Sequence, residues 1–252
     1  MQRYSDVYMG LRNANDELWH TSQSISKKIE LLNIFNMRQP YSLLMAAYKA
    51  FDINEFDRIL TYIINIGFRY SVICGKNPND IERIYNNIAV TISKSNIFNL
   101  NELKVIYVDD NEFVPLFNHK SFTDNTRNRK IVRYILDKYE RFKGGQRDSS
   151  LTSETDTVEH ILPQHPDEKW GENNYDFDSL IYRLGNLCLL EKKLNQNIEN
   201  KSYSEKVDIL KQSSFETTKS IPEEFREWNS ESINRRQQQM GNAAKSIWKI
   251  DF

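Results

Sequence analysis

Apolar residues along this chain keep a three- and four-residue spacing to about residue 143, and then the spacing stops. Ile25, Ile29 and Leu32 follow it, as do Leu43, Leu44, Ala47, Tyr48 and Phe51, and then Phe56, Ile59, Leu60, Ile63 and Ile64. Side chains so spaced fall on one face of an α-helix, and that face must be buried against another element. The turn Asn77-Pro78-Asn79-Asp80 is placed to cap a further helix with Ile81, Ile84, Tyr85 and Ile88 on one side. A last helix of the series is expected over residues 129–142, burying Ile131, Ile135, Leu136 and Tyr139. The stretch KGGQRDSSLTS after it holds turn formers and no apolar period. The sequence therefore predicts a helical domain over residues 1–143 and a linker over 144–153.

Beyond the linker the pattern is different. Residues 157–162 and 187–190 are β-prone, and residues 192 to about 212 read as one helix with Leu194, Ile198, Tyr203, Val207 and Leu210 in a stripe. Strand, long loop, strand and helix is the ββα arrangement of a small metal-dependent nuclease. Residues 222–248 read as two more helices, with Phe225, Trp228, Ile233, Met240, Ala244 and Ile247 inward. The expected fold class is mainly α with a small β component: a helical domain, then a ββα-metal domain over 154–252 with extra C-terminal helices. Only 8 Gly and 6 Pro in 252 residues suit a helical chain of this kind.

The chemistry is concentrated in that second half. Val158-Glu159-His160-Ile161-Leu162-Pro163-Gln164 sets a carboxylate beside a histidine on a strand that ends at a proline. Leu184-Gly185-Asn186-Leu187 follows, and Asn195 stands nine residues past Asn186. Phosphodiester hydrolysis needs a base for water, positive charge at the phosphate, and stabilisation of the departing oxygen. His160 suits the first, because imidazole titrates near neutral pH. Glu159 and Asn195 suit the second as hard oxygen ligands for Mg²⁺, Mn²⁺ or a similar divalent cation, which keeps few protein ligands. Asn186 is placed to tie its turn to the backbone around the histidine. Lys206, eleven residues past Asn195 and on roughly the same face of the expected helix, is placed to contact a phosphate.

Glu159-His160-Ile161-x-Pro163-Gln164, Leu184-Gly185-Asn186-Leu187, Asn195 and Lys206 together resemble the HNH (His-Me finger) domain at the C-terminus of GmrSD-like restriction endonucleases. Trp228, Ile233-x-x-Arg236 and Ala244-x-x-Ile247-Trp248 continue the resemblance to about residue 250. The gap from Asn186 to Asn195 is also similar to that in the HNH domain of RNA-guided DNA nucleases. The resemblance implies that His160 is the general base, that Glu159 and Asn195 bind metal, and that Asn186 is structural. The helical first half resembles the region preceding this domain in the same proteins, which begin with an NTPase-like domain that senses modified DNA. No P-loop is found: Gly75-Lys76 is followed by Asn77, and Gly144-Gly145-Gln146-Arg147 sits in the linker. The chain therefore looks like a C-terminal fragment or a separate nuclease subunit, with the NTPase or sensing domain as its partner.

Charge and cysteine content limit the alternatives. The net charge is −1, so attraction to DNA must come from a local surface. Residues 120–143 carry eight basic residues against three acidic, and Arg127, Arg129, Lys130 and Arg133 there are candidate DNA-backbone contacts. Residues 144–178 carry nine acidic against two basic, a balance that favours a cation. Cys74 and Cys188 are the only cysteines, which gives no disulfide framework, excludes a four-cysteine zinc site and points to a reducing compartment. With no membrane-length apolar run and no signal-peptide core, the expected location is the bacterial cytoplasm. The expected activity is metal-dependent DNA cutting in restriction or phage defence. The alternatives are a non-catalytic module that binds DNA or a partner chain, and a ribonuclease or nicking enzyme.

Overall fold

The computed structural model describes residues 3–145, 155–166, 168–170 and 177–252. Of the expected linker, residues 146–153 lie outside them. The chain forms two compact units, residues 1–113 with 248–252, and residues 114–247. This division falls upstream of the boundary read from the loss of helical spacing, because the helix ending at Phe142 packs on strands of the second unit.

The first unit is helical. It holds α1 (Tyr4–Arg12), α2 (Gln23–Ile34), α3 (Tyr41–Ala50), α4 (Ile53–Gly67) and α5 (Glu82–Ser95). In α4 the spaced residues Phe56, Ile59, Leu60, Ile63 and Ile64 are all buried, each contributing about 1.5–3 kcal/mol of apolar transfer. Asp52 begins that helix by accepting hydrogen bonds from Asn54 N and Glu55 N at 2.9 Å. The Asn77–Asp80 turn opens as expected, with Asn77 Oδ1 accepting from Asn79 N at 3.1 Å ahead of α5. Buried Arg69 donates to Trp248 O and Val108 O, both at 2.9 Å, and so ties the C-terminal residues into this unit.

After α6 (Asp110–His119), whose residues divide between the units, the second unit is built around a two-stranded antiparallel sheet. α7 (Thr126–Phe142) precedes β1 (Asp156–His160); α8 (Phe177–Ile181) precedes β2 (Leu187–Glu191); α9 (Lys192–Ile198) follows directly. Register pairs Glu159 with Cys188 and His160 with Leu187. A lone two-stranded sheet is marginal in water, so this one is covered. α7 packs on both strands, and α9 packs on both. α7 is buried nearly all round: besides Ile131, Val132, Ile135, Leu136 and Tyr139, it buries Arg133, Asp137 and Glu140. The remaining helices are α10 (Tyr203–Leu210), α11 (Glu216–Lys219), α12 (Ile221–Glu224) and α13 (Ser230–Ile247). Ile161, Leu162, Cys188, Leu190, Ile198, Leu210, Phe225, Trp228 and Ile233 share one core with them.

One expectation is corrected here. The single helix over residues 192–212 is two helices, broken at Glu199, whose φ is 40°. Ser202 and Glu205 form a capping box that starts α10 afresh, with Glu205 Oε2 accepting from Ser202 N at 2.9 Å. The apolar stripe of the sequence survives the break, because Ile198, Tyr203 and Leu210 still reach the same core.

Candidate active site

β1 delivers the acid–histidine pair. Neighbouring strand residues project to opposite faces, and the two side chains find different surroundings. Glu159 is buried, and its Oε1 accepts from Lys206 Nζ at 2.8 Å. Burial raises its carboxyl above the usual range, while the Lys206 ammonium pulls it back down. His160 is half-buried, with its ring edge-on to Tyr182 at a centroid distance of 5.7 Å. Burial lowers its pKa to about 4; Asp124 opposes that shift, while Lys206 and Arg129 add to it. The imidazole is therefore neutral at neutral pH and able to accept a proton.

Asn186 holds the chain immediately beyond the histidine. It is fully buried, and its amide makes four hydrogen bonds. Oδ1 accepts from Leu162 N at 2.8 Å and from Trp228 Nε1 at 2.9 Å. Nδ2 donates to Leu162 O and Ile181 O, both at 2.9 Å. Ile161 N donates to Asn186 O at 3.0 Å, so the turn and the strand end are locked together. α13 supports the turn from behind. Arg236 Nη1 donates to Gly185 O and Leu187 O at 2.8 Å, and Gly185 N donates to Gln237 Oε1 at 3.1 Å. Only glycine fits at 185, since a Cβ there would lie 2.1 Å from Ile233 O.

His160, Glu159 and Asn195 line one cavity of about 630 Å³. Asp124, Arg129, Lys130, Gln164 and Tyr182 line it too. Asp124 is ion-paired with Arg129, whose Nη2 donates to Oδ2 at 2.8 Å, and Gln164 Nε2 lies 3.4 Å from the same oxygen. Asn195, on α9, donates Nδ2 to Thr157 Oγ1. The Glu159 carboxylate oxygens and Asn195 Oδ1 are what these two residues would offer a cation. One carboxylate and one amide oxygen lining a cavity fit Mg²⁺, which keeps most of its ligands as water and phosphate. No cluster of three His, Cys, Asp or Glu side chains suited to a metal stands among the described residues. Cys188 offers no thiolate, because burial pushes its pKa up to about 12.

The structure thus brings His160, Glu159, Asn195, Arg129, Lys130 and Arg133 to one cavity and sets Asn186 behind it. Lys206, expected at DNA, is placed outside the cavity lining. Lys206 is fully buried, because the break at Glu199 turns α10 inward and gives its ammonium to Glu159 and to His160 O. Arg133 lines the cavity too but is committed to Asp156, donating to its Oδ1 at 2.9 Å and its O at 2.6 Å; that buried pair fastens α7 to β1. Arg127 is exposed on α7, outside the cavity lining. Asp124, Thr157 and Tyr182 were not singled out from the sequence. Thr157 carried a signal, standing two residues before Glu159 on the strand. Asp124 and Tyr182 carried none, since a loop and a turn bring them in. His165 is exposed at the cavity edge, and His20 and His119 are exposed.

The class of protein is a restriction endonuclease, shown by the family that the sequence matches. The family model described as "GmrSD restriction endonucleases, C-terminal domain" matches residues 107–243, more than half of the chain. The chain belongs to that family, and its substrate class is DNA. No curated protein matches it. No helix of the described residues is long and apolar enough to cross a membrane.

Proposed function

We propose that residues 154–252, with α7 packed on their sheet, form an HNH-type metal-dependent DNA endonuclease that uses His160 as general base. The observation that carries this reading is the His160 imidazole at the end of β1, in a cavity that also presents Glu159, Asn195, Arg129 and Lys130. His160 accepts the proton of the attacking water. Glu159 and Asn195 would hold Mg²⁺ or Mn²⁺, which when bound supplies positive charge to the scissile phosphate and the departing 3′-oxygen. Endonucleases of this kind generally depend on a metal ion. Asn186 keeps the strand end, and so the base, in place. Arg129 and Lys130 at the cavity wall, with Arg127 outside it, attract the DNA backbone without reading sequence. The helical region over residues 1–143 precedes this module, and an NTPase or modification-sensing domain or subunit is its proposed partner in bacterial restriction or phage defence.

The test is plasmid cutting by the purified chain with and without Mg²⁺ or Mn²⁺, against His160→Ala. Metal-dependent cutting lost in the variant, with DNA binding kept, is expected. Cutting by His160→Ala at the wild-type rate would remove the histidine from its role.

A further inference from the structure

A fully buried lysine at the back of a catalytic strand is costly unless it is paired, so its partners show what it does. Lys206 Nζ lies over the Trp170 ring at 6.0 Å, and its two hydrogen-bond partners are both on the acid–histidine pair: Glu159 Oε1 at 2.8 Å and the main-chain oxygen of His160 at 3.0 Å. One ammonium therefore grips the carboxylate of one residue and the backbone of the next. We propose that Lys206 is a positioning residue for the cutting reaction: it fixes the backbone that carries the base and holds the Glu159 carboxylate beside it. This rests on the nuclease reading above.

Three features of the fold support the assignment. Lys206 has no exposure through which to reach DNA. Its side chain arrives from α10, a separate helix started by its own capping box, so the contact does not follow from the strand and α9 alone. The ammonium also supplies a counter-charge to Glu159 without any metal, which lets the site keep its shape before a cation arrives. Outer groups that orient a metal-binding side chain typically matter by about 10–100-fold in activity.

The experiment compares wild type, Lys206→Met and Lys206→Gln in steady-state plasmid cutting well below each Tm, with Mn²⁺ thermal shifts in parallel. Glutamine keeps donors without the charge and serves if methionine does not fold. The expected result is a fall in kcat of about 10–100-fold with KM for DNA unchanged. Mn²⁺ is expected to raise the Tm of Lys206→Met more than that of wild type, because the cation then supplies the only counter-charge to Glu159. A folded Lys206 variant that cuts with wild-type kcat overturns the inference and leaves the nuclease reading standing. A rise in KM alone also overturns it, since that is the behaviour of a substrate contact. A wild-type chain that cuts with neither metal removes both.

Discussion

Replacing Asn186 with alanine strips the partner from four buried groups at once. Leu162 N and Trp228 Nε1 lose their acceptor, and Leu162 O and Ile181 O lose their donor. A buried polar group left unpaired costs about 1–3 kcal/mol, but the four share one site and do not add independently. The expected loss is therefore about 4 kcal/mol, a large share of the roughly 5–15 kcal/mol that holds a domain together. Urea unfolding should show a lower midpoint at unchanged slope. The Trp228 indole proton should exchange faster in the variant, because its acceptor is gone. Asn186→Asp gives a sharper test. An ionised carboxylate would set a second oxygen against two carbonyl oxygens, so the variant must take up a proton to fold. A group whose folded pKa is raised stabilises at low pH and loses that contribution as pH rises. Asn186→Asp should thus become less stable relative to wild type from about pH 4 to pH 7. A loss under about 1 kcal/mol for alanine, or a pH-independent aspartate variant, would refute the clamp.

The depressed pKa of His160 bears on the acid side of the rate profile. For the free enzyme, His160 should give kcat/KM no acid limb near pH 6.5, because burial lowers its pKa to about 4, while the Glu159 carboxyl, raised by burial, governs the acid side. A limb near pH 6.5 lost in a His160 variant that still cuts contradicts the burial argument. The same shift has a stability consequence: the unfolded chain binds the proton first, so the His160 contribution is complete above about pH 6.5 and lost as pH falls toward 4. Its size is at most about 3 kcal/mol, read as the difference between wild type and His160→Gln in chemical denaturation across that window. Gly185→Ala should lower Tm by about 4–10 °C and cut poorly, because the new methyl meets the backbone oxygen of Ile233 and the turn must move away from α13. An unchanged Tm would show that the turn does not need that close approach.

Much of the site was legible because its parts lie close in sequence and each has a local reason to be where it is. The strand ends at His160, before a proline; the turn at Gly185-Asn186 feeds β2; Asn195 stands one turn into α9. Alternation in β1 and the approach of Gly185 to α13 are backbone constraints, and they leave marks on residue type. Arg127, Arg129, Lys130 and Arg133 show the opposite limit. Composition marks a basic stretch, but position along the helix and the neighbours it meets decide the use of each charge. Arg129 and Arg133 share one face of α7, but Arg133 lies a turn further into the buried part, where Asp156 takes it, while Arg127 and Arg129 are exposed.

Lys206 shows why the rest was hidden. On one continuous helix, a lysine eleven residues past Asn195 would share its face and look outward over the same cavity. The apolar stripe from Leu194 to Leu210 supports that helix, because residues that pack into one core satisfy the pattern whether or not the helix between them is continuous. The break was written in weaker signs: Ser202 followed three residues later by Glu205, which is a capping box, and Asn200 beside the residue that takes positive φ. Once the helix restarts, its phase is set by Tyr203 and Leu210 packing beside Trp228 and Ile233, and Lys206 between them has nowhere to go but inward. A lysine there is tolerable only opposite a carboxylate, and Glu159 is that carboxylate. The packing of α10 thus accounts both for the loss of an expected phosphate contact and for the buried pair behind the base.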